Sequence, residues 1–398
     1  MGSAEKLQLS DSNSLRFVPD EDVRLLKPPK GQSVTLTWKA GRISLRLLRR
    51  DEVEKARRLY RLAGEPVPSA EIWDWRFFQR NPGLSNVLAA FSEDKELIGL
   101  YPGTVRPVYI HGQELLCFQA CRTLVHPKYR GGGRVYIGFL RFCFAYLESM
   151  GIPVGIGGGA GEAALKVGAW VADNREMCAL TTYERRLSWR LAARSRLGFL
   201  GKPLSWALDA GLHRPFRSRN DGWTVEPVQQ MTAEFDDLWL RKRDRYQVLL
   251  RRDARELQWR YFDCPVPATI LAARKQGVLQ GFAVLRHRQD DMGEARLTSV
   301  IDMFSGQDPE VEVALLQAAG AEGIRQGSDF LQFAPSLGSV SELLVSQKPW
   351  RPARRPLEHV IVSETTKRAE EVGIADLTER AIDGRQWYYC QGDSDFFD

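Results

Sequence analysis

The stretch VHPKYRGGGRV, residues 125–135, sets three glycines between two arginines just ahead of a long apolar-periodic run. Inside a helix each glycine costs about 1 kcal/mol relative to alanine. Three of them at a helix start therefore mark either a tight turn or backbone that something bulky and anionic approaches closely. The first N–H groups of a helix have no intrahelical acceptor, and the macrodipole adds about half a positive charge at that end. Phosphate binds such a place, and a glycine there removes the Cβ that would hold an anion off the amides. The chemistry suggested is the binding of a bulky, phosphate-bearing anion.

The flanking elements must aim those amides. Residues 115–125, LLCFQACRTLV, read as a strand, and a helix is expected from Gly133 or Arg134, with Phe139, Cys143, Tyr146 and Met150 on one face. A degenerate repeat extends this pattern over the chain. WRFF at 75–78 returns as WRYF at 259–262, each followed by a proline turn, a short apolar strand (NVLAAF; TILAAR) and a glycine-led strand (LIGLY; LQGFAVL). Upstream, the segments from Ile43 and from Trp223 both read as a strand followed by an amphipathic helix. The expected class is mixed α/β (α+β mixed sheet) in two tandem domains. The boundaries expected are a polar N-terminal extension (1–42), a first domain (43–187), a basic linker (188–222) and a degenerate second domain with an aromatic tail (223–398).

The chain has 398 residues, 43% hydrophobic and 27% charged, with a net charge of +6, which is enough for two cores and selects no ligand class by itself. Six dispersed cysteines lack paired metal spacing and read as reduced, buried thiols. Five histidines far apart give no metal motif, so no metal is expected. No apolar leader or span of about 20 residues is present, and a cytoplasmic location is expected. Residues 188–222 carry seven Lys or Arg against two Asp. They read either as a linker packed across both domains or as an amphipathic segment on the inner face of a membrane. GIGGGAG at 155–161 mimics a dinucleotide fingerprint but lacks the acidic partner on a following strand. The tryptophans read as core, and no nucleic-acid module is evident.

With strand, glycine turn and helix in that order, TLVHPKYRGGGRV resembles the acyl-CoA-binding signature of the GNAT acyltransferase superfamily, clearly over residues 43–187 and more weakly over 223–365. The resemblance implies acetyl-CoA or another acyl-CoA as co-substrate. It also implies that Val125 offers its main chain to the pantetheine arm, and that Arg130, Gly131, Gly132, Gly133, Arg134 and Val135 surround the diphosphate. Three departures stand out. Val135 occupies a place the family gives to Gly or Ala, Ala164 stands where a tyrosine general acid is common, and GGGAGE replaces an asparagine-bearing turn.

Amide formation needs an amine that loses a proton and a thiolate that gains one. The strand face of Cys117, Gln119 and Cys121 offers no carboxylate, which leaves Glu162 and Tyr136 as candidates; each also has a purely structural reading, as a first-turn charge and as packing. The counterpart turn in the second half, VIDMFSGQDPEVEV, has a lone Gly306 among Asp302, Asp308, Glu310 and Glu312, charges that would repel a diphosphate. The implied activity is N-acyl transfer to a small-molecule or carrier-linked amine, for example an amino sugar or surface-polysaccharide precursor. Two alternatives stay open: a Fem-type aminoacyltransferase using charged tRNA, and a non-catalytic CoA-binding sensor or scaffold.

Overall fold

The computed structural model describes residues 16–19, 32–38, 41–79, 85–130, 133–158, 162–172, 174–197, 201–216, 222–290, 292–353, 358–364 and 375–394. In the first half the strands are β1 (Arg16–Pro19), β2 (Gln32–Trp38), β3 (Gly41–Leu47), β4 (Ser85–Phe91), β5 (Leu97–Ile110), β6 (Gln113–Ala120), β7 (Leu124–Val125), β8 (Val154–Gly158), β9 (Arg175–Leu180) and β10 (Tyr183–Arg186). In the second they are β11 (Trp223–Pro227), β12 (Val248–Leu250), β13 (Thr269–Lys275), β14 (Val278–Gln289), β15 (Arg296–Phe304), β16 (Phe330–Phe333), β17 (Arg351–Pro352), β18 (Glu358–Glu364) and β19 (Trp387–Tyr388). The principal helices are α1 (Val53–Ala63), α2 (Arg134–Ser149), α3 (Glu162–Ala172), α4 (Arg190–Leu197), α5 (Gly201–His213), α6 (Glu234–Lys242), α7 (Pro309–Arg325) and α8 (Val340–Val345).

Two mixed sheets result. One runs β3-β4-β5-β6-β8-β18-β9, with β2 and then β1 added outside β3; the other runs β11-β13-β14-β15-β16-β10-β17. Position for position the two seven-strand orders agree. In each, the parallel pair lies between the fourth and fifth strands, β6 with β8 and β15 with β16. The sixth place in each sheet is taken by a strand from the other half of the chain: β18 lies between β8 and β9, and β10 between β16 and β17. Each sheet is therefore completed by its neighbour.

The apolar periodicity of α2 is used as expected. Phe139, Leu140, Cys143 and Leu147 are buried against Leu45 and Leu47 of β3, Tyr101 and Val105 of β5 and Phe118 of β6. The helix stops at Gly151, whose φ of +66° only glycine adopts cheaply, and Ile152 N–H closes back onto Leu147 O. On the opposite face α1 seats Leu59 and Tyr60 on Trp73, Phe77 and Cys121.

The repeated WRFF and WRYF motifs meet. Both lie in short π-helical turns, Asp74–Gln79 and Gln258–Phe262. Their tryptophans stack at 5.3 Å and 20°, and each indole N–H donates to the other's carbonyl, Trp75 to Trp259 at 2.7 Å and Trp259 to Trp75 at 3.4 Å. Beside this contact β12 pairs with the far end of β5 and with β19. The N-terminal extension supplies β1 and β2, and the basic segment forms the α4–α5 hairpin. Among the described residues no helix is long and apolar enough to cross a membrane.

Candidate active site

The strand expected over 115–125 is interrupted. β6 pairs with β8 only as far as Ala120 opposite Gly157, and the chain then leaves β8, with β7 paired to β5 alone. Two neighbouring parallel strands thus part at the end that faces the glycine turn. His126 N–H donates to Ile98 O at 2.8 Å, which makes Gly99–Val125 the non-hydrogen-bonded type of antiparallel pair. The N–H and C=O of Val125 therefore point away from β5, toward the gap. Its carbonyl already accepts Arg130 Nε at 3.0 Å.

Beyond β7 the turn folds on itself. Lys128 N–H donates to His126 Nδ1, Tyr129 N–H to His126 O at 2.8 Å, Arg130 N–H to Pro127 O at 3.3 Å and Gly133 N–H to Arg130 O at 3.4 Å. This narrows the expected cradle: the amide of Arg130 is turned inward by the tight helical turn of Pro127–Tyr129, and that of Gly133 by its bond to Arg130 O. The outward donors are those of the first turn of α2, Arg134, Val135 and Tyr136, which have no intrahelical acceptor. Gly133 caps the helix at φ +65°, no side chain caps it, and no acidic residue occupies its first turn. Arg134 is exposed there. Gly131 and Gly132 lie outside the described residues.

Val135 does not crowd this end. Its side chain is buried and lies over Gly99, where an added Cβ would come within 2.9 Å of it. The second half repeats the device, with Val311 of α7 over Gly281 of β14. Valine at that position is a seat for the helix on the sheet.

The candidate catalytic residues separate. Tyr136 is half-buried, its ring 6.3 Å from that of Tyr101, and burial pushes its phenol up to about 12, with the buried Cys143 thiol adding to the effect. It stays protonated at neutral pH and, among the described residues, makes no hydrogen bond. Glu162 opens α3, and its side chain lies outside the described residues. Cys117, Gln119 and Cys121 are buried on the face opposite α2, and the Cys117 thiol is raised to about 12 by burial. Among the described residues, no group of three or more His, Cys, Asp or Glu could hold a metal ion.

Sequence reasoning missed a carboxylate that reaches this face from far along the chain. The aromatic tail packs back, and its turn Gln391–Asp393 enters the seam between the halves. Gln119 Nε2 donates to Asp393 O, 274 positions away. The Asp393 carboxylate is buried against Arg252 and lies 3.6 Å from Arg106. Arg252 also holds Asp302 at 3.1 Å, and Tyr261 O–H donates to the same carboxylate at 2.8 Å. Burial raises the Asp302 carboxyl above its usual range against the pull of Arg252. Asp302 therefore lies in a sealed ion-pair network and plays no part in repelling a ligand at the second-half turn. The one available signal was chemical: a short acidic tail following WYYC must pack against something basic.

The second half closes its equivalent helix start. Asp308 caps α7 by accepting from Glu310 N–H at 3.0 Å and Val311 N–H at 3.5 Å, with Pro309 at the first position. Tyr246 Oη accepts from Gly306 N–H at 2.8 Å, Ser305 Oγ from Gln307 N–H at 3.1 Å, and Lys242 Nζ donates to Ser305 O at 2.7 Å. Glu312 is buried, its two oxygens taken by the hydroxyls of Ser305 and Ser341 at 2.6 Å each.

Residues 44–162 match the acetyltransferase (GNAT) domain family. Among solved structures, the chain is similar to a GCN5-related N-acetyltransferase from Anabaena variabilis (TM-score 0.59, 11% identity, 81% of this chain and 73% of that one). It is similar to a probable N-acyltransferase of unknown function from Enterococcus faecalis (0.58, 11%, 81% and 72%). It is also similar to Saccharomyces cerevisiae N-myristoyltransferase with bound myristoyl-CoA (0.58, 10%, 89% and 89%). None of the curated proteins matches. The fold is thus GNAT-like, and residues 44–162 are similar to a GNAT acetyltransferase domain.

Proposed function

We propose that the protein is an acyl-CoA-dependent N-acyltransferase built from two tandem GNAT-like domains, of which only the first, residues 43–187, takes the coenzyme. The observation that carries this reading is the uncapped start of α2 beside the gap between β6 and β8, set against its sealed counterpart at α7. The diphosphate would lie on the amides of Arg134, Val135 and Tyr136 with the arginine side chains around it, and Val125 would meet the pantetheine arm. The acyl thioester would then reach the face of Gln119 and Cys121.

In the reaction, the acceptor amine nitrogen forms a bond to the thioester carbonyl carbon, the C–S bond breaks, the amine gives up a proton and the thiolate takes one. Tyr136, held neutral, is the candidate donor to sulfur, and Glu162 the candidate acceptor from nitrogen. The acceptor proposed is a small-molecule or carrier-linked amine, with an amino sugar as the first to try, lying in the groove shared with the second domain. The intact glycine turn counts against an aminoacyl-tRNA donor.

Calorimetric titration with acetyl-CoA, followed by thiol release over a panel of amines that includes amino sugars, tests this. Binding with amine-dependent thiol release is expected. Absence of binding at about millimolar acetyl-CoA removes the coenzyme reading, and binding without release on any amine would assign a CoA-sensing role instead.

A further inference from the structure

The α4–α5 hairpin joining the two halves has a solvent face that a water-exposed helix rarely shows. In α5 the exposed residues include Ala207, Leu208, Ala210 and Gly211, with Leu208 45% exposed. Among the described residues of that face none is charged, whereas a surface helix ordinarily turns its charges outward. Next to it, α4 presents Arg194, Ser195, Arg196 and Leu197, the last also 45% exposed, and Arg214 follows α5.

The hairpin is held rigidly. Asp209 accepts from Ser188 Oγ at 2.9 Å and from Trp189 N–H at 2.6 Å. Arg190 Nε donates to the buried Asp329 at 3.0 Å, and His213 Nε2 lies 3.0 Å from Leu187 O. Phe216, just past α5, fills the space over Gly320 of α7. The carboxylate within the hairpin is thus consumed in fixing it, while its arginines at 194, 196 and 214 stay in water. The acidic β14–β15 turn, with Asp290 and Glu294, meets the hairpin at Arg190, the opposite end of α4 from Arg196.

We propose that this face docks on an anionic lipid bilayer surface, with Leu197, Leu208 and the small residues of α5 entering the interface and Arg194, Arg196 and Arg214 meeting lipid phosphates. The argument is charge complementarity. Residues 188–222 hold seven Lys or Arg against two Asp, Arg190 and Asp209 are bonded internally, and each further basic residue near such a surface adds about 1 kcal/mol. An apolar strip flanked by arginines matches the layered polarity of a headgroup region, where side chains with long apolar stems are favoured. This surface is independent of the coenzyme loop, so either reading can fail alone.

The test is vesicle flotation of the full chain, without coenzyme, in about 0.1 M salt. Phosphatidylcholine vesicles would be compared with vesicles containing about 30 mol% phosphatidylglycerol. Flotation with the anionic vesicles alone is expected. Arg194→Glu with Arg196→Glu should reduce it by at least about tenfold, and Leu208→Glu should do so as well, with circular dichroism unchanged because all three side chains are exposed. No flotation with anionic vesicles, equal flotation with both kinds, or flotation indifferent to these substitutions would overturn the assignment, the last two pointing to another surface or partner.

Discussion

The starts of α2 and α7 occupy the same place in two sheets of the same strand order, yet their backbones are treated in opposite ways. At α7 the carboxylate of Asp308, the hydroxyls of Ser305 and Tyr246 and the ammonium of Lys242 satisfy the turn from within. At α2 a left-handed glycine stands where a capping side chain would be, and arginine replaces acid in the first turn. Burying an unsatisfied amide costs about 1–3 kcal/mol, so a helix start kept bare must remain accessible and is available to an external anion. What the two halves share, a valine seated over a strand glycine, holds each helix on its sheet. What they do not share is the basis on which the coenzyme is proposed for the first half.

Placing a carboxylate at the bare end should have the largest effect. Among the described residues a Cβ at Gly133 meets only Ile137, at 3.9 Å, so Gly133→Glu should fold, at a strain cost of about 1–2 kcal/mol for a side chain at positive φ. Acetyl-CoA affinity should fall by more than about 100-fold, because a like charge replaces the approach to the amides. Titration calorimetry with a circular dichroism control reads both effects, and unchanged affinity would mean that the anion sits elsewhere.

A smaller effect is expected at the sealed end. Asp308→Ala should lower stability by about 1 kcal/mol, as lost helix caps do, with acetyl-CoA affinity unchanged. Urea unfolding and the same titration measure the pair of effects. A change in affinity would tie the second half to coenzyme binding and blur the contrast.

The smallest effect should appear as a pH dependence. Burial pushes the Glu312 carboxyl above its ordinary range, although the hydroxyls of Ser305 and Ser341 pull the other way. A carboxyl raised on folding contributes stability that is fully present below its unfolded value and is lost as pH rises through the folded one. Glu312→Gln keeps both hydroxyl contacts and removes the titration. Relative to the variant, the wild type should therefore lose stability as pH rises above the ordinary carboxylate range, and parallel curves would show that the Glu312 carboxyl is not raised.

Much of this contrast was legible in the sequence because it is local. Glycine at 131–133, proline and acid at 308–312, the period of α2 and the two WR motifs all act within a few turns of chain. The strand exchange was not legible, since β10 and β18 are short and read equally well in either sheet. The meaning of Val135 was hidden because its partner, Gly99, lies on a separate strand. The Asp393 network escaped for the same reason: Arg106, Arg252 and Gln119 are brought to the tail by sheet pairing, and no spacing in the chain announces them.

The most direct test is a crystal structure of the protein with acetyl-CoA bound. The account predicts diphosphate oxygens within hydrogen-bond distance of the amides of Arg134, Val135 and Tyr136, with the pantetheine arm between β7 and β8 and the α7 start empty of ligand. Coenzyme at the second-half turn, or at any place that leaves the α2 amides without phosphate, would contradict it.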